Sequence, residues 1–487
     1  MVAIGVRYLM GWSMATHSAD RERPEWPPHP DRVFMALAAA YYETDGSDDE
    51  RRALQWLELQ PAPSMRAGDA SERNTLTTYV PVNDSTAPRL RLGRTPSRQQ
   101  VNAGLQLLPE NRSRQPRQFP ASIPADPTVY LIWTGDPSPE VRAGLDSLCS
   151  KVIRVGHSAS LVQAWVEEAP PEPNLIPTDG VALHSMRVFG QGRLEHLEVQ
   201  YQNGRRPDRA RWTAYTRPQP ERQPESPHSL FQSRLLTLRR VSGRLMGLES
   251  SLALSEKLRN AVVKHCPEPI PEWVSGHTPD GRPSQTPHIA FLPLPFVGRE
   301  HADGHLLGFA LAIPNQVEQA DAGRCLNPLL GVSEDGAMRQ VRLYEGASFE
   351  WTLELEDRDS PPVALRSRTW TRPARRWATV TPIVFDRHPK GRNKNDEGER
   401  IVAEACQRIG LPRPVDVVLS QVSLHLGVPH SRQFPAMRRK SDNGRLQHTH
   451  ALVKFDRPVN GPVILGAGRY RGYGMCRPVQ WEEEDEE

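Results

Sequence analysis

Val2, Ile4, Val6 and Tyr8 alternate with their neighbours, so the chain is expected to open on a β-strand. PEWPPHP forms a rigid turn, and then Phe34, Leu37, Ala38 and Tyr41 recur at the spacing of one helical face. TVYLIWTG (128–135) predicts a second strand. Ser138 is placed to cap the helix that follows, with Pro139 in its first position and Val141, Leu145, Leu148 and Cys149 on one side. KVIRVGHSASLV (151–162) comes next. Residues 60–126 are rich in Pro, Arg, Ser and Asn with little periodicity, apart from an expected strand at 75–82, and read as long insertions. A polar, Pro- and Arg-rich stretch at 203–228 marks the expected boundary between domains 1–225 and 226–487.

The second half is more regular. A strand at 230–240 precedes a helix at 252–265, with Leu254, Leu258, Ala261 and Val262 on one face and Pro267 beyond its end. HIAFLPLPFV, the turn REHADG and HLLGFALAI predict a hairpin, followed by a helix at 316–328 and a strand at 339–345. That order is βαββαβ, a split ferredoxin-like unit over about 228–355. It recurs over 370–478. WATVTPIVF (377–385) reads as a strand. A helix opened by Asp396 and Glu399 turns Val402, Ala405, Cys406 and Ile409 inward and closes at Gly410 and Pro412. Strands at 415–427, 449–456 and 473–477 complete the repeat. The expected fold class is α+β, with tandem ferredoxin-like domains.

Composition narrows the class. A hydrophobic content of 37% suits a folded chain, and no run approaches eighteen apolar residues, so no membrane partner is expected. Arg7 interrupts the apolar start, and no signal-peptide layout follows. The five cysteines are scattered without a CxxC pair, which argues for a cytoplasmic protein without a disulfide framework or a zinc site. The net charge of +3 conceals an acidic tail, Glu482 to Glu487, and a basic remainder in which only seven of 61 cations are lysine. Arginine's planar fork suits phosphate, although a GC-rich genome yields the same bias, so clustering is the stronger evidence.

The most specific segment is GPVILGAGRYRGYGMCRP (461–478), in which Gly466, Gly468, Gly472 and Gly474 surround Arg469 and Arg471. Glycines allow close backbone approach, and guanidinium forks hold phosphates. Late in a second ferredoxin-like unit, this loop resembles the signature loop of the repeat-associated RAMP superfamily of CRISPR proteins. PPHPDRVFMALAAAY and KVIRVGHSASLV resemble the handle-capping Cas five group. SGHTPDGRP, HIAFLPLPFVG and HADGHLLG resemble the Cas six half of the fusion found in type I-G (formerly I-U) systems. The resemblance implies a handle-capping domain, 1–225, fused to a repeat-endoribonuclease module, 226–487. Its partners would be CRISPR RNA (repeat stem-loop and 5′ handle), the backbone and large subunits of a Cascade complex, and target DNA through that complex. It implies cleavage without metal or cofactor, by attack of a ribose 2′-OH on the adjacent phosphate.

Such chemistry asks for a histidine to move the proton and for cations to stabilise the transition state. The catalytic candidates are His277, His288, His301 and His305, with His288 and His301 leading; each also has a structural reading in a turn or strand. His425, His430, His448 and His450 form a second group. RNA-binding candidates are the loop residues Gly466, Gly468, Arg469, Arg471, Gly472 and Gly474, with Arg432, Arg438, Arg439, Lys440, Arg375 and Arg376. Arg366, Arg368 and Arg372 interleave with Trp370 and Trp377, and Arg205, Arg206, Arg209, Arg211 and Arg217 with Trp212 and Tyr215, as phosphate contacts beside stacking faces would. The rival readings are a non-catalytic CRISPR RNA-binding subunit and an RNA-recognition-motif protein. RGYG (471–474) matches the start of that motif's consensus, but Met475 and Pro478 stand where its aromatic residues belong.

Overall fold

The computed structural model describes residues 1–17, 22–73, 77–81, 93, 95–105, 107–108, 114–207, 210–218, 227–333, 337–346, 349–358, 360–389, 393–439 and 443–479. Arg209, Lys440 and the acidic tail, three features singled out in the sequence, lie outside these residues. The chain separates into two compact units: Met1–Asn174 with Met186–Trp212, and Leu175–Ser185 with Thr213–Glu487. Both are mixed α/β with antiparallel sheets. No helix among the described residues is long and apolar enough to cross a membrane.

In the first unit, β1 (Val2–Tyr8) is followed by α1 (Pro30–Glu43), α2 (Asp48–Glu58), β2 (Ser64–Arg66), β3 (Thr128–Trp133), α3 (Pro139–Lys151) and β4 (Val162–Glu167). The sheet runs β2-β3-β1-β4, with Ile4 opposite both Leu131 and Val166. β1 is buried on both faces except at Arg7, because Ala3 and Gly5 are small enough for the sheet's second face to be covered as well. A capping box between Ser47 and Glu50 starts α2, satisfying two backbone donors at once. Among the described residues of 60–126, two ladders form that the composition does not suggest. Ala70–Arg73 pairs with Ala121–Pro124, and Thr78–Pro81 with Arg114–Arg117.

Two five-stranded sheets dominate the second unit, beside a short pairing of Ile176–Pro177 with Tyr215–Thr216. The first is built from β5 (Leu236–Ser242), α4 (Ser251–His265), β6 (Ala290–Pro295), β7 (Leu306–Ala312), α5 (Gln319–Leu330), β8 (Val341–Glu345) and β9 (Phe349–Leu355), in the order β6-β7-β5-β9-β8. Leu254, Leu258 and Val262 seal α4 onto the sheet beside Phe291, Phe309 and Trp351. β9 was not expected, although Phe349, Trp351, Leu353 and Leu355 alternate inward.

The second sheet comprises β10 (Ala374–Thr379), β11 (Ile383–Val384), β12 (Asp416–Ser420), β13 (His448–Val459) and β14 (Cys476–Pro478), with α6 (Lys394–Arg408) packed through Ile401, Val402, Ala405 and Cys406. β13 pairs with β12, β11 and β10, and β10 with β14. Two expected strands are shorter than the sequence implies. The 377–385 strand breaks at Pro382, which has no N–H for a ladder. The 415–427 strand stops at Ser420, whose hydroxyl accepts from Val422 N at 3.0 Å and turns the chain out of register.

The glycine-rich segment joins the two sheets. Ile464, Tyr473 and Met475 enter the core of the first, and Val463, Leu465 and Cys476 that of the second.

Candidate functional site

A cavity of about 150 Å³ forms where α4, the residues before β6 and the glycine loop meet. The short helix Glu272–Ser275 ends at Gly276, whose φ of 70° turns the chain back and sets His277 at the wall. Arg259 of α4 fixes that turn by donating to the Ser275 carbonyl at 2.5 Å. On the opposite side Phe291 N reaches the Tyr470 carbonyl at 3.4 Å, drawing the glycine loop alongside the start of β6. Tyr470 then stacks on His288 with ring centroids 3.5 Å apart, and the Arg469 guanidinium lies 4.5 Å over the Tyr470 ring. His277, His288, Arg259, Tyr470 and Arg471 share the cavity wall.

The two histidines differ electrostatically. Burial, with Arg469, Arg259 and His277 adding to it, lowers His288 to about 4, so its imidazole is neutral near pH 7. Among the described residues its buried Nδ1 has no hydrogen-bond partner. His277 Nδ1 lies 3.0 Å from the Ser275 carbonyl, which can only accept; in the neutral ring the free lone pair is therefore on Nε2. Burial, then Arg471, disfavours the charge on Arg259, a strain that a bound anion would relieve. Two imidazoles, two guanidiniums and an aromatic ring make a site suited to moving protons at an anionic centre.

Acid should destabilise the second unit. Burial is the leading cause that lowers His288, His425 and His450, each to about 4. Between the ordinary imidazole value, about 6.5, and about 4 the unfolded chain binds more protons, so stability falls as pH drops through that window. The urea midpoint should hold from pH 8 to 7 and decline from 6.5 to 4. A midpoint flat across that window would contradict these burials.

The four leading histidines do not share one site. β6 runs between His277 and His288 at one end and His301 and His305 at the other, about 20 Å along a strand at ~3.3 Å per residue. The two leading candidates, His288 and His301, therefore lie at opposite ends of this strand. His301 sits in a tight turn at φ 62°, its side chain 88% exposed beside Glu300, and His305 is held 2.5 Å from Asp303. In the other group, His450 contacts Thr379 Oγ1 at 3.0 Å inside the core, His448 donates to the Ser431 carbonyl at 2.8 Å, and His430 caps a short 3-10 turn.

The loop glycines face protein, which corrects the expectation that they leave the backbone open to RNA. A Cβ on Gly474 (φ 70°) would overlap the Leu465 carbonyl, and one on Gly472 (φ 79°) the Ser255 hydroxyl. Gly466 and Gly468 are likewise enclosed, by Val384 and by Tyr473 with Met437. Arg469 donates to the Gly466 carbonyl at 3.1 Å, and Arg471 lies 3.4 Å from Glu256. Exposed Arg432, Arg438 and Arg439 flank the loop, because Pro435 accepts from the Tyr473 hydroxyl at 2.5 Å. Arg375 is exposed and Arg376 half-buried on β10. Trp370, Trp377 and Tyr215 offer no face for bases, since all three are buried in the core. Sequence reasoning missed Arg259 and Tyr470 as site residues; Tyr470's place within the glycine loop was the signal that could have found it.

The first unit has a larger cleft, about 320 Å³, between α1 and the segment after α3. Met35, Ala36 and Ile153 are among its apolar lining, and Arg32, Lys151, Arg154 and Arg187 its cations. Arg32 and Arg187 both bind Glu25, at 2.7 and 2.6 Å. Burial would raise that carboxyl, but His29 and the two arginines outweigh it and hold it down at about 2. Gly156, from the segment compared with the handle-capping group, lines the same cleft.

Curated proteins contain no match to this chain. Among solved structures it is similar to one described as the crystal structure of a CRISPR protein from Archaeoglobus fulgidus, at 14% identity and a TM-score of 0.20, covering 45% of this chain and 87% of that one. The family described as CRISPR-associated protein, GSU0054 family, matches residues 6–478. With that match running over nearly its whole length, the chain belongs to the GSU0054 family of CRISPR-associated proteins and has a role in CRISPR defence.

Proposed function

We propose that the chain processes and retains CRISPR RNA, cutting the precursor repeat at the His288 cavity and holding the product's handle in the first unit, within a type I-G Cascade complex that carries it to target DNA. The carrying observation is the convergence of His277, His288, Arg259 and Arg471 on one cavity beside Tyr470. Neutral His288 takes the proton from the 2′-OH as that oxygen attacks phosphorus. The bond to the 5′-oxygen breaks, and protonated His277 supplies that oxygen's proton. Arg259 and Arg471 stabilise the added negative charge. The products are a 2′,3′-cyclic phosphate and a 5′-hydroxyl. In this reading 1–225 caps the handle and 226–487 cuts the repeat.

We read each five-stranded sheet of the second unit as a ferredoxin-like RAMP unit. Numbering the strands of each repeat in chain order, the second sheet runs two-three-one-four with the short β11 added, while the first runs two-three-one-five-four: β9 takes the place beside strand one, and β8, the expected fourth strand, stands at the edge. The first unit's four-stranded sheet also runs two-three-one-four.

The test is a repeat RNA with a single 2′-deoxy substitution at the nucleotide before the cut. Loss of cleavage with binding retained is expected, because only the nucleophile is removed; full cleavage would sink the mechanism. A second reading, a non-catalytic RNA-binding subunit, is favoured by one observation: the His288 ring is wedged between Tyr470 and Gly276, as a structural histidine would be. Tight binding of an unmodified repeat that is never cut would select it.

A further inference from the structure

A second cationic cluster lies at the far end of β6 from the cavity. The Arg477 Nη1 donates to the Val297 carbonyl at 2.5 Å, and its guanidinium packs 6.0 Å from the Trp370 ring centroid. Burial, then the charges of Arg299 and Arg372, pushes Arg477 down from its ordinary value. Among the described residues none of the three has a carboxylate within ion-pairing distance. The acids on the neighbouring turn are turned to histidines instead, Glu300 to His301 at 3.7 Å and Asp303 to His305 at 2.5 Å. Like charges held together without a counter-charge favour an anion from outside the chain.

A second feature adjoins this cluster. Gly298 N donates to the Leu426 carbonyl at 2.9 Å, bringing the 421–427 segment beside the Arg299 turn. Along it Val422, Leu424 and Leu426 are 56%, 52% and 66% exposed, alternating with half-buried Ser423 and buried His425. His425 lies against the cluster, with Nε2 3.4 Å from the Arg477 carbonyl, and a Cβ on Gly298 would overlap the Arg477 guanidinium. Cations next to an exposed apolar row match a strand that presents phosphates on one side and unstacked bases on the other.

We infer that Arg299, Arg372 and Arg477, with Leu424 and Leu426, form a second contact surface for single-stranded RNA, separate from the His288 cavity. The inference rests on the RNA-handling reading above. Arg299 and Arg372 hold phosphates, Arg477 lends its charge from behind, and the leucines cover base faces.

The experiment measures binding of the full chain to an oligouridylate and to an uncleavable repeat RNA across a salt series. Arg299→Gln with Arg372→Gln should weaken both about tenfold and flatten the salt dependence by about 1.4, near 0.7 per lost phosphate contact on a single strand. Leu424→Ser with Leu426→Ser should weaken binding without altering the slope. All four positions are on the surface or half-buried, so a folding check by circular dichroism suffices. For a cleavable repeat the loss should fall on KM rather than kcat. Unaltered affinity and slope in the arginine pair overturn the surface, as does loss of a protein partner with RNA affinity intact. Failure of the wild-type chain to bind any RNA would instead overturn the earlier reading, and cleavage lost through His288 alone speaks only to the cavity.

Discussion

His288→Ala should slow cleavage of a cognate repeat a hundredfold or more, the usual contribution of a positioned general base, while RNA affinity changes little. A neutral imidazole releases no counterion, so the salt dependence of binding should not move. His277→Ala should also slow cleavage, and a repeat whose 5′-oxygen is replaced by sulfur separates the two roles. Sulfur leaves without an acid's help, so the substitution should restore rate to the His277 variant but not to the His288 variant. His301→Ala, on an exposed turn at the other end of β6, should cut normally. A His288 variant that cuts at the wild-type rate would move the proton transfer elsewhere and leave the fold untouched.

Gly474→Ala should cost more than about 4 kcal/mol and bring the second unit close to unfolding, a magnitude reserved for named structural faults. Gly474 sits at φ 70°, and the added methyl would meet the Leu465 backbone, which has no freedom to withdraw. Leu465 N donates to the Gly474 carbonyl, and Gly474 N to the Pro382 carbonyl, each at 2.9 Å. Moving the glycine would break both bonds. Gly346→Ala is the control: φ is also positive, at 51°, but no atom waits within 4 Å, so a cost near 1 kcal/mol is expected. Chemical denaturation of both variants decides the matter. Equal costs would show that the loop is not packed as described.

Much of this fold was legible because single faces carry it. Leu254, Leu258 and Val262 announce α4, and the near-continuous apolar runs along 288–297 and 305–313 announce β6 and β7, which are buried on both faces. β9 carries an inward alternation, but a six-element pattern already closed at β8 left it without a place. The misreadings were physical ambiguities rather than weak signals. Arginine alternating with tryptophan suits a nucleic-acid surface, yet it is also what a half-buried strand produces, with Arg376 outward and Trp377 inward. The cavity was only half legible. His277 and His288 were visible as loop histidines, whereas their meeting with Arg259 and Tyr470 depends on a long-range contact between the first sheet and the glycine loop, which no local period encodes.

Because residues 463–476 send alternate side chains into both cores, the cavity has an order of birth. During synthesis His277 and His288 leave the ribosome long before Tyr470 and Arg471, and chains fold progressively from the N-terminal side as they emerge. Until the 461–478 segment has been made and has folded back, one wall of the cleft does not exist and each core lacks three of its apolar residues. On the proposed function, a nascent chain can therefore offer RNA exposed arginines but no cutting site, and chemistry at this cavity waits until both sheets are joined.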